Sequence, residues 1–135
     1  MLNSGYMFIF MTSIFTVIGQ LIIKWRIDSL EFSLNGAVTE KIISVLMLLF
    51  DKYIVIGMFS AVLAALFWMA ALSRFNLSHA YPMIIALLTI LTVISSVVIL
   101  GENLSYVKVI GIIIVLVGLL VLWVGDVYIA DLNHG

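Results

Sequence analysis

The stretch AYPMIIALLTILTVISSVVIL, residues 80–100, carries no charged side chain and is long enough to cross a membrane as a helix. A bilayer core of about 30 Å requires roughly 20 apolar residues in helical form. Three more stretches have the same character, at residues 4–25, 53–72 and 106–124. Because backbone polar groups in lipid must find partners within their own segment, the four stretches predict an all-α membrane protein with four transmembrane helices.

The composition of the whole chain agrees with this fold class. Of its 135 residues, 65% are hydrophobic and 10% are charged, whereas a soluble domain is about 45–50% apolar and about 25% charged. A net charge of −1 without a basic region lacks the electrostatic footprint of nucleic-acid binding. The absence of cysteine excludes disulfides and thiolate metal sites. We expect residues 1–135 to form a single four-helix domain.

A shorter apolar stretch, VTEKIISVLMLLF at residues 38–50, lies between the first and second spans. It is too short to cross the bilayer. It is either an interfacial or re-entrant helix or the oblique start of the second span, and the sequence leaves both interpretations open.

The basic residues are distributed unevenly between the two ends of the predicted spans. One of them, Arg74, lies on the side of the termini and the second connection. The positive-inside rule therefore predicts a protein of the cell inner membrane with both termini outside. The five basic residues on the other side are Lys24, Arg26, Lys41, Lys52 and Lys108.

Polar residues gather on one face of the first span, within an arc of about 140°. Small and hydroxyl residues on such a face can serve close helix packing, or the face can line a polar cavity. Gln20 and Lys24 need partners or water inside a membrane, although Lys24 could also extend to the interface beside Trp25. The face consists of Gly5, Thr12, Ser13, Thr16, Gly19, Gln20 and Lys24.

The third span has a similar hydroxyl-lined face, within an arc of about 120°. Two such faces predict a shared polar cavity between the first and third spans. Tyr81 would stand at its mouth or in the interfacial aromatic belt, and Trp68 of the second span would be a cavity wall or a lipid-facing residue. The face consists of Tyr81, Thr89, Thr92, Ser95 and Ser96.

The fourth span has glycines seven residues apart at Gly111, Gly118 and Gly125. Small residues at this spacing predict a packing seam, either inside the protomer or between protomers. The sequence contains no catalytic triad, metal-ligand spacing or phosphate-binding glycine loop, so we expect neither an enzyme nor a cofactor.

Several short motifs together resemble the drug/metabolite transporter superfamily, specifically its four-helix, single-repeat members. The resemblance covers about residues 19–124. The motifs are GQLIIK with Gly19, Gln20 and Lys24, the pair Phe67 and Trp68, LSHAYPM at residues 77–83, GENLS at residues 101–105, and Gly111 with Gly118.

Two branches of that superfamily imply different activities. Small multidrug resistance proteins exchange cations for protons through a glutamate of the first helix, and the matching position here is Thr16. The GQ…K pattern and the AYPM motif are similar to the subunits that flip aminoarabinose-phosphoundecaprenol. This resemblance implies a flippase for a polyprenyl-phosphate-linked sugar, with a proton-coupled exporter of small cations or metabolites and an accessory membrane subunit as alternatives.

The resemblance to the flippase subunits also implies a binding site and a quaternary arrangement. The lipid phosphate would pair with Lys24 or Arg26. Four helices are few to enclose a path, so we expect a homodimer or a heterodimer with a four-helix paralogue, and the relative orientation of the two subunits stays open. The remaining substrate-contacting residues would be Thr16, Gln20, Trp68 and Tyr81.

Overall fold

The computed structural model describes residues 2–30 and 38–134, and these ranges form five helices. The helices are α1 (Leu2–Ser29), α2 (Val38–Leu49), α3 (Lys52–Leu72), α4 (Leu77–Leu100) and α5 (Tyr106–His134). Four of them are long and apolar enough to cross a membrane, and α2 is the short helix between the first two spans. The predicted fold class is therefore confirmed.

The helices extend beyond the apolar stretches that predicted them. Helix α1 continues through Lys24 to Ser29, α4 begins at Leu77 rather than at residue 80, and α5 continues to His134. Hydropathy marks the part of a helix that lies in lipid, whereas helical hydrogen bonding continues into the polar residues on either side.

Helix α2 is separate from α3, because the chain turns at Phe50 and Asp51 between them. Asp51 has an extended backbone, with φ −66° and ψ 132°, and its carboxylate accepts a hydrogen bond from the Tyr53 backbone N–H. This is the geometry of a helix N-cap. Residues 38–50 are therefore not the oblique start of the second span, and an interfacial position for α2 stays a prediction.

Helix α1 lies at the centre of the bundle and packs on α3 and, less extensively, on α4, while α5 packs on α4. The contact of α1 with α3 depends on two glycines. A Cβ atom on Gly19 would lie 2.8 Å from the carbonyl oxygen of Gly57, so the two backbones are in direct contact. Beside them the Ser60 hydroxyl donates a hydrogen bond of 2.6 Å to the Phe15 carbonyl. Small residues thus bring the two helices together, as the packing interpretation of Gly19 predicts.

The bundle has two chemically different ends. At one, which we call the terminal end, α1 begins and α3 is joined to α4; Ile9, Ala71, Ala80 and Ile84 form a buried apolar cluster there. At the other, the charged end, α1 finishes, α3 begins and α4 is joined to α5. Helix α4 stops at the charged end because Gly101 takes the left-handed conformation, with φ 68°, and its N–H bonds the Ser96 carbonyl.

Candidate functional site

The charged end is held together by an ion pair between α1 and the start of α3. Arg26 donates from Nε to both carboxylate oxygens of Asp51 at 3.0 Å and from Nη2 to Oδ2 at 2.6 Å. The guanidinium also lies 5.2 Å from the centre of the Tyr53 ring. These hydrogen bonds hold the pKa of the Asp51 carboxyl below its usual value. Arg26 therefore fixes the position of α3 against α1.

Lys24 is much less constrained than Arg26. Its ammonium donates one hydrogen bond of 2.9 Å to Asp28, four residues along α1, and the two side chains are 50% and 53% exposed. Glu102, in the connection between α4 and α5, contributes a further favourable charge interaction. An ammonium has three donors, so two donors of Lys24 are left for another ligand.

The residues along one face of α1 become more exposed toward the charged end. Ile9 is 2% exposed and Ser13 is fully buried, Thr16 is half-buried, and Gln20 is exposed. These four residues are spaced three or four apart and therefore share one face of α1. The helices that cover this face at Ile9 no longer cover it at Gln20. Within the described parts of the chain, the Gln20 amide makes no hydrogen bond.

The helices that separate are α3 and α4. Both pack on α1, but they touch each other only slightly, and Ile9 is buried where Ala71 of α3 meets Ala80 of α4. Farther from that closure, the exposure of Gln20 and the slight contact between α3 and α4 indicate a cleft between these two helices, with α1 as its floor. We call it the polar cleft and define it by Thr16 and Gln20 of α1 and Thr89, Thr92 and Ser96 of α4.

Two aromatic rings close the polar cleft at the terminal end. Trp68 of α3 and Tyr81 of α4 meet edge to face, with their ring centres 6.4 Å apart. Because Tyr81 belongs to the hydroxyl-lined face of α4, this contact shows that the face is turned toward α3. The structure therefore places Tyr81 of the hydroxyl-lined face of α4 against Trp68 of α3. A polar cavity shared by the α1 and α4 faces stays a prediction.

Three of the four hydroxyl groups that define the polar cleft already donate hydrogen bonds to their own helices. Thr16 donates to the Thr12 carbonyl at 2.8 Å, Thr89 to the Ile85 carbonyl at 2.8 Å, and Ser96 to the Val93 carbonyl at 3.1 Å. Their oxygen lone pairs stay available as acceptors. The cleft can therefore accept hydrogen bonds from hydroxyl or ammonium groups of a ligand, and Gln20 can both donate and accept.

Sequence reasoning did not find Asp51, which binds Arg26. It placed Ser60 among the small packing residues of the second span but did not find its hydrogen bond to the Phe15 carbonyl. For Asp51 a signal existed, since an aspartate just before an apolar helical stretch is a typical N-cap pattern. For Ser60 there was none, because its partner is a backbone carbonyl forty-five residues away.

A second depression lies on the opposite side of the α1–α4 contact, between α1, α4 and α5, in the half of the bundle nearer the terminal end. It has a volume of about 750 Å³ and an almost entirely apolar wall. We call it the apolar groove. Its wall consists of Tyr6, Ile9, Phe10, Pro82, Met83, Ala86, Leu87, Ile90, Leu116, Leu119, Leu120 and Trp123.

The three glycines of α5 face open space. Nothing among the described residues lies within 4 Å of a Cβ built on Gly111, Gly118 or Gly125. They therefore form no packing seam inside the described part of the protomer, and a seam between protomers stays a prediction.

Comparison with known proteins agrees with the transporter architecture. Residues 3–124, most of the chain, match the EamA-like transporter family. No curated protein and no solved structure gives a significant match. The family match confirms the resemblance to the drug/metabolite transporter superfamily and the prediction of a transporter rather than an enzyme, but it names no substrate. With its four candidate spans and this match over residues 3–124, the chain is a multi-pass membrane protein that belongs to the EamA-like transporter family.

Proposed function

We propose that this transporter is a flippase that moves a polyprenyl-phosphate-linked sugar across the cell inner membrane. The observation that carries the proposal is the arrangement of Gln20 and Lys24. Both are exposed on α1 toward the charged end, Gln20 in the polar cleft and Lys24 one helical turn beyond it, and each has hydrogen-bonding capacity left. No residue that defines the cleft is acidic, so its chemistry suits an anionic headgroup with hydroxyls better than a cation.

Lys24 rather than Arg26 is the phosphate ligand in this proposal. An exposed lysine–aspartate pair four residues apart is weak and exchanges partners readily, so a phosphate can take the place of Asp28. Arg26 is bound by three hydrogen bonds to Asp51, and their side chains are only 24% and 17% exposed. Arg26 acts as a positioning residue that sets the depth of α1 next to the binding lysine.

The polar cleft takes the sugar. Its hydroxyl oxygens accept hydrogen bonds from sugar hydroxyls, and the Gln20 amide binds a hydroxyl as donor or acceptor. At the far end, Tyr81 and Trp68 stop the sugar and must part before it can leave on the terminal side. The hydrocarbon tail stays outside the cleft. With both termini outside, as the positive-inside rule predicts, the lipid enters from the cytoplasmic side.

A second subunit would complete the path. The cleft is open between α3 and α4, and an open polar surface in lipid is costly. We propose that a second copy or a four-helix paralogue covers the opening, with the unoccupied glycine face of α5 as the contact between subunits. This arrangement also explains why Gly111, Gly118 and Gly125 touch nothing within the described chain.

The experiment is a translocation assay in proteoliposomes with an undecaprenyl-phosphate-linked aminosugar as substrate. We expect Lys24→Ala and Gln20→Ala each to slow translocation by about tenfold, the order of one lost hydrogen bond to the ligand. Lys108→Ala is the matched control, because Lys108 is exposed near the start of α5 and is not one of the residues that define the cleft; it should keep the wild-type rate.

Three outcomes contradict the proposal. If both variants at normal expression translocate the lipid as fast as wild type, the site assignment is wrong. If wild type instead drives uptake of an organic cation with a pH gradient, the protein is a proton-coupled exporter. If wild type moves neither substrate, alone or reconstituted with a four-helix paralogue, the chain is an accessory subunit.

A further inference from the structure

The apolar groove and Lys24 lie on the same side of α1, at opposite ends of the membrane. Tyr6 of the groove and Lys24 are eighteen residues apart, which is five helical turns, so they share one line along the helix about 27 Å apart. Phe10, the lining residue of α1 closest to Lys24 in sequence, is fourteen residues or about 21 Å from it. Half-buried Leu21 and Ile14, on the adjoining line, form an apolar path between them.

These distances decide what kind of chain could reach the groove from Lys24. Half of the bilayer core is about 15 Å. An ordinary acyl chain whose phosphate pairs with Lys24 ends near the midplane, short of Phe10. Only a lipid tail longer than one leaflet extends from Lys24 into the groove.

We propose that the apolar groove binds the distal part of the hydrocarbon tail of the lipid whose phosphate pairs with Lys24. This inference rests on the proposed function and deepens it: the groove selects a polyisoprenoid carrier over a membrane phospholipid by tail length. The only polar atoms that side chains contribute to the groove wall are the Tyr6 hydroxyl and the Trp123 indole N–H, which matches a ligand without polar groups at this depth. The volume of about 750 Å³ is in the range of small-molecule sites.

The expected selectivity is modest for a physical reason. A tail that leaves bilayer lipid for a protein groove moves between two apolar surroundings, so it gains van der Waals packing but no transfer from water. We therefore expect the wild type in nanodiscs to bind undecaprenyl phosphate about fivefold more tightly than farnesyl phosphate. The two probes share the phosphate and an isoprenoid tail, and the chief difference between them is the length of that tail.

The decisive variant is Ala86→Phe, which places a large ring in the groove from α4. We expect it to lose the preference for the long tail and to bind farnesyl phosphate as wild type does. The control is Ala65→Phe, since Ala65 is exposed on α3 and does not line the groove; it should retain the preference. If Ala86→Phe does not fold, Leu116→Trp tests the groove from the wall formed by α5.

The outcomes separate this inference from the proposed function. If wild type binds both phosphates equally, or if the groove variants keep the fivefold preference, the tail site is wrong and the Lys24 site stands. If wild type binds neither phosphate, the proposed function fails and the tail site fails with it. If Ala86→Phe instead dissociates a dimer, the groove is an interface between copies and the inference is overturned.

Discussion

The contact between Gly19 and Gly57 should make the stability of the protein depend on a single methyl group. In Gly19→Ala, the new Cβ would lie 2.8 Å from the Gly57 carbonyl oxygen and 3.4 Å from Ser60 Cβ. The oxygen belongs to the backbone of α3 and cannot turn away, so the two helices must move apart. The same movement stretches the 2.6 Å hydrogen bond from Ser60 to Phe15.

The magnitude follows from three contributions. Overpacking of a close contact costs about 1–3 kcal/mol, and weakening an interhelical hydrogen bond in a membrane protein costs about 0.6 kcal/mol. Against these, alanine favours a helix over glycine by up to about 1 kcal/mol. The control Gly118→Ala gains the same propensity and meets nothing within 4 Å in the protomer. Because Gly118 lies in the proposed contact between subunits, the two variants are compared in micelles that hold a single protomer. The propensity contribution therefore cancels in the comparison, and we expect Gly19→Ala to be about 2 kcal/mol less stable than Gly118→Ala.

The assay is reversible unfolding of wild type and variants in mixed micelles by titration with a denaturing detergent. Gly57→Ala gives an internal ranking. Its Cβ would meet Ile23 Cγ1 at 2.6 Å, the Gly19 carbonyl oxygen at 3.1 Å and Ile23 Cδ1 at 3.1 Å. Because the Ile23 side chain can rotate, we expect a smaller loss than for Gly19→Ala. Equal stabilities for Gly19→Ala and Gly118→Ala would refute the direct contact of the two backbones.

Two further predictions concern the charged end. Arg26 lowers the pKa of Asp51, so this carboxylate stabilises the folded state above its ordinary pKa of about 3.9, and the contribution is lost as the pH falls through the lowered folded value. Unfolding followed between neutral and acidic pH should show this loss in wild type but not in Asp51→Asn, and identical pH profiles would contradict it. Gly101 has φ 68°, so Gly101→Ala should cost about 1 kcal/mol and Gly101→Asn less, as measured by the same detergent titration; equal stability of Gly101→Ala and wild type would show that the left-handed cap is not required.

The spans could be predicted from the sequence because lipid imposes one requirement on every residue of a crossing helix. An apolar stretch such as residues 80–100 can cross a membrane only as a helix, because a helix satisfies its backbone polar groups within the segment. The position of α2 was harder to predict, since a stretch of thirteen apolar residues suits an interfacial helix and the start of the second span equally well. The turn that separates it from α3 depends on Asp51, whose carboxylate both caps α3 and binds Arg26 from a distant part of the chain.

From the sequence, the candidate site could be predicted only as two polar helix faces, one on the first span and one on the third. The polar face of α1, an arc of about 140°, could be predicted from the sequence. Part of this face packs on other helices and part is open, and a helical projection does not separate these two roles. Gly19 packs on α3 and Ser13 is fully buried, whereas Gln20 and Lys24 are exposed. Which part is covered depends on where α3 and α4 diverge from α1, and that divergence follows from contacts between residues far apart in the chain.

The divergence also links packing to transport. Gly19 and Gly57 hold α1 against α3 beside Gln20, so the α1 floor of the polar cleft is rigid at the depth of the proposed headgroup site. Helix α4 has its buried residues, Ala80 and Ile84, in its first turns alone, so its charged end is the least restrained wall. If the cleft opens and closes during transport, α4 must pivot about the Ile9–Ala80 contact while α1 and α3 stay together. A crosslink between α1 and α3 beside Gly57 should therefore permit translocation, and one between α1 and α4 beside Gln20 should abolish it.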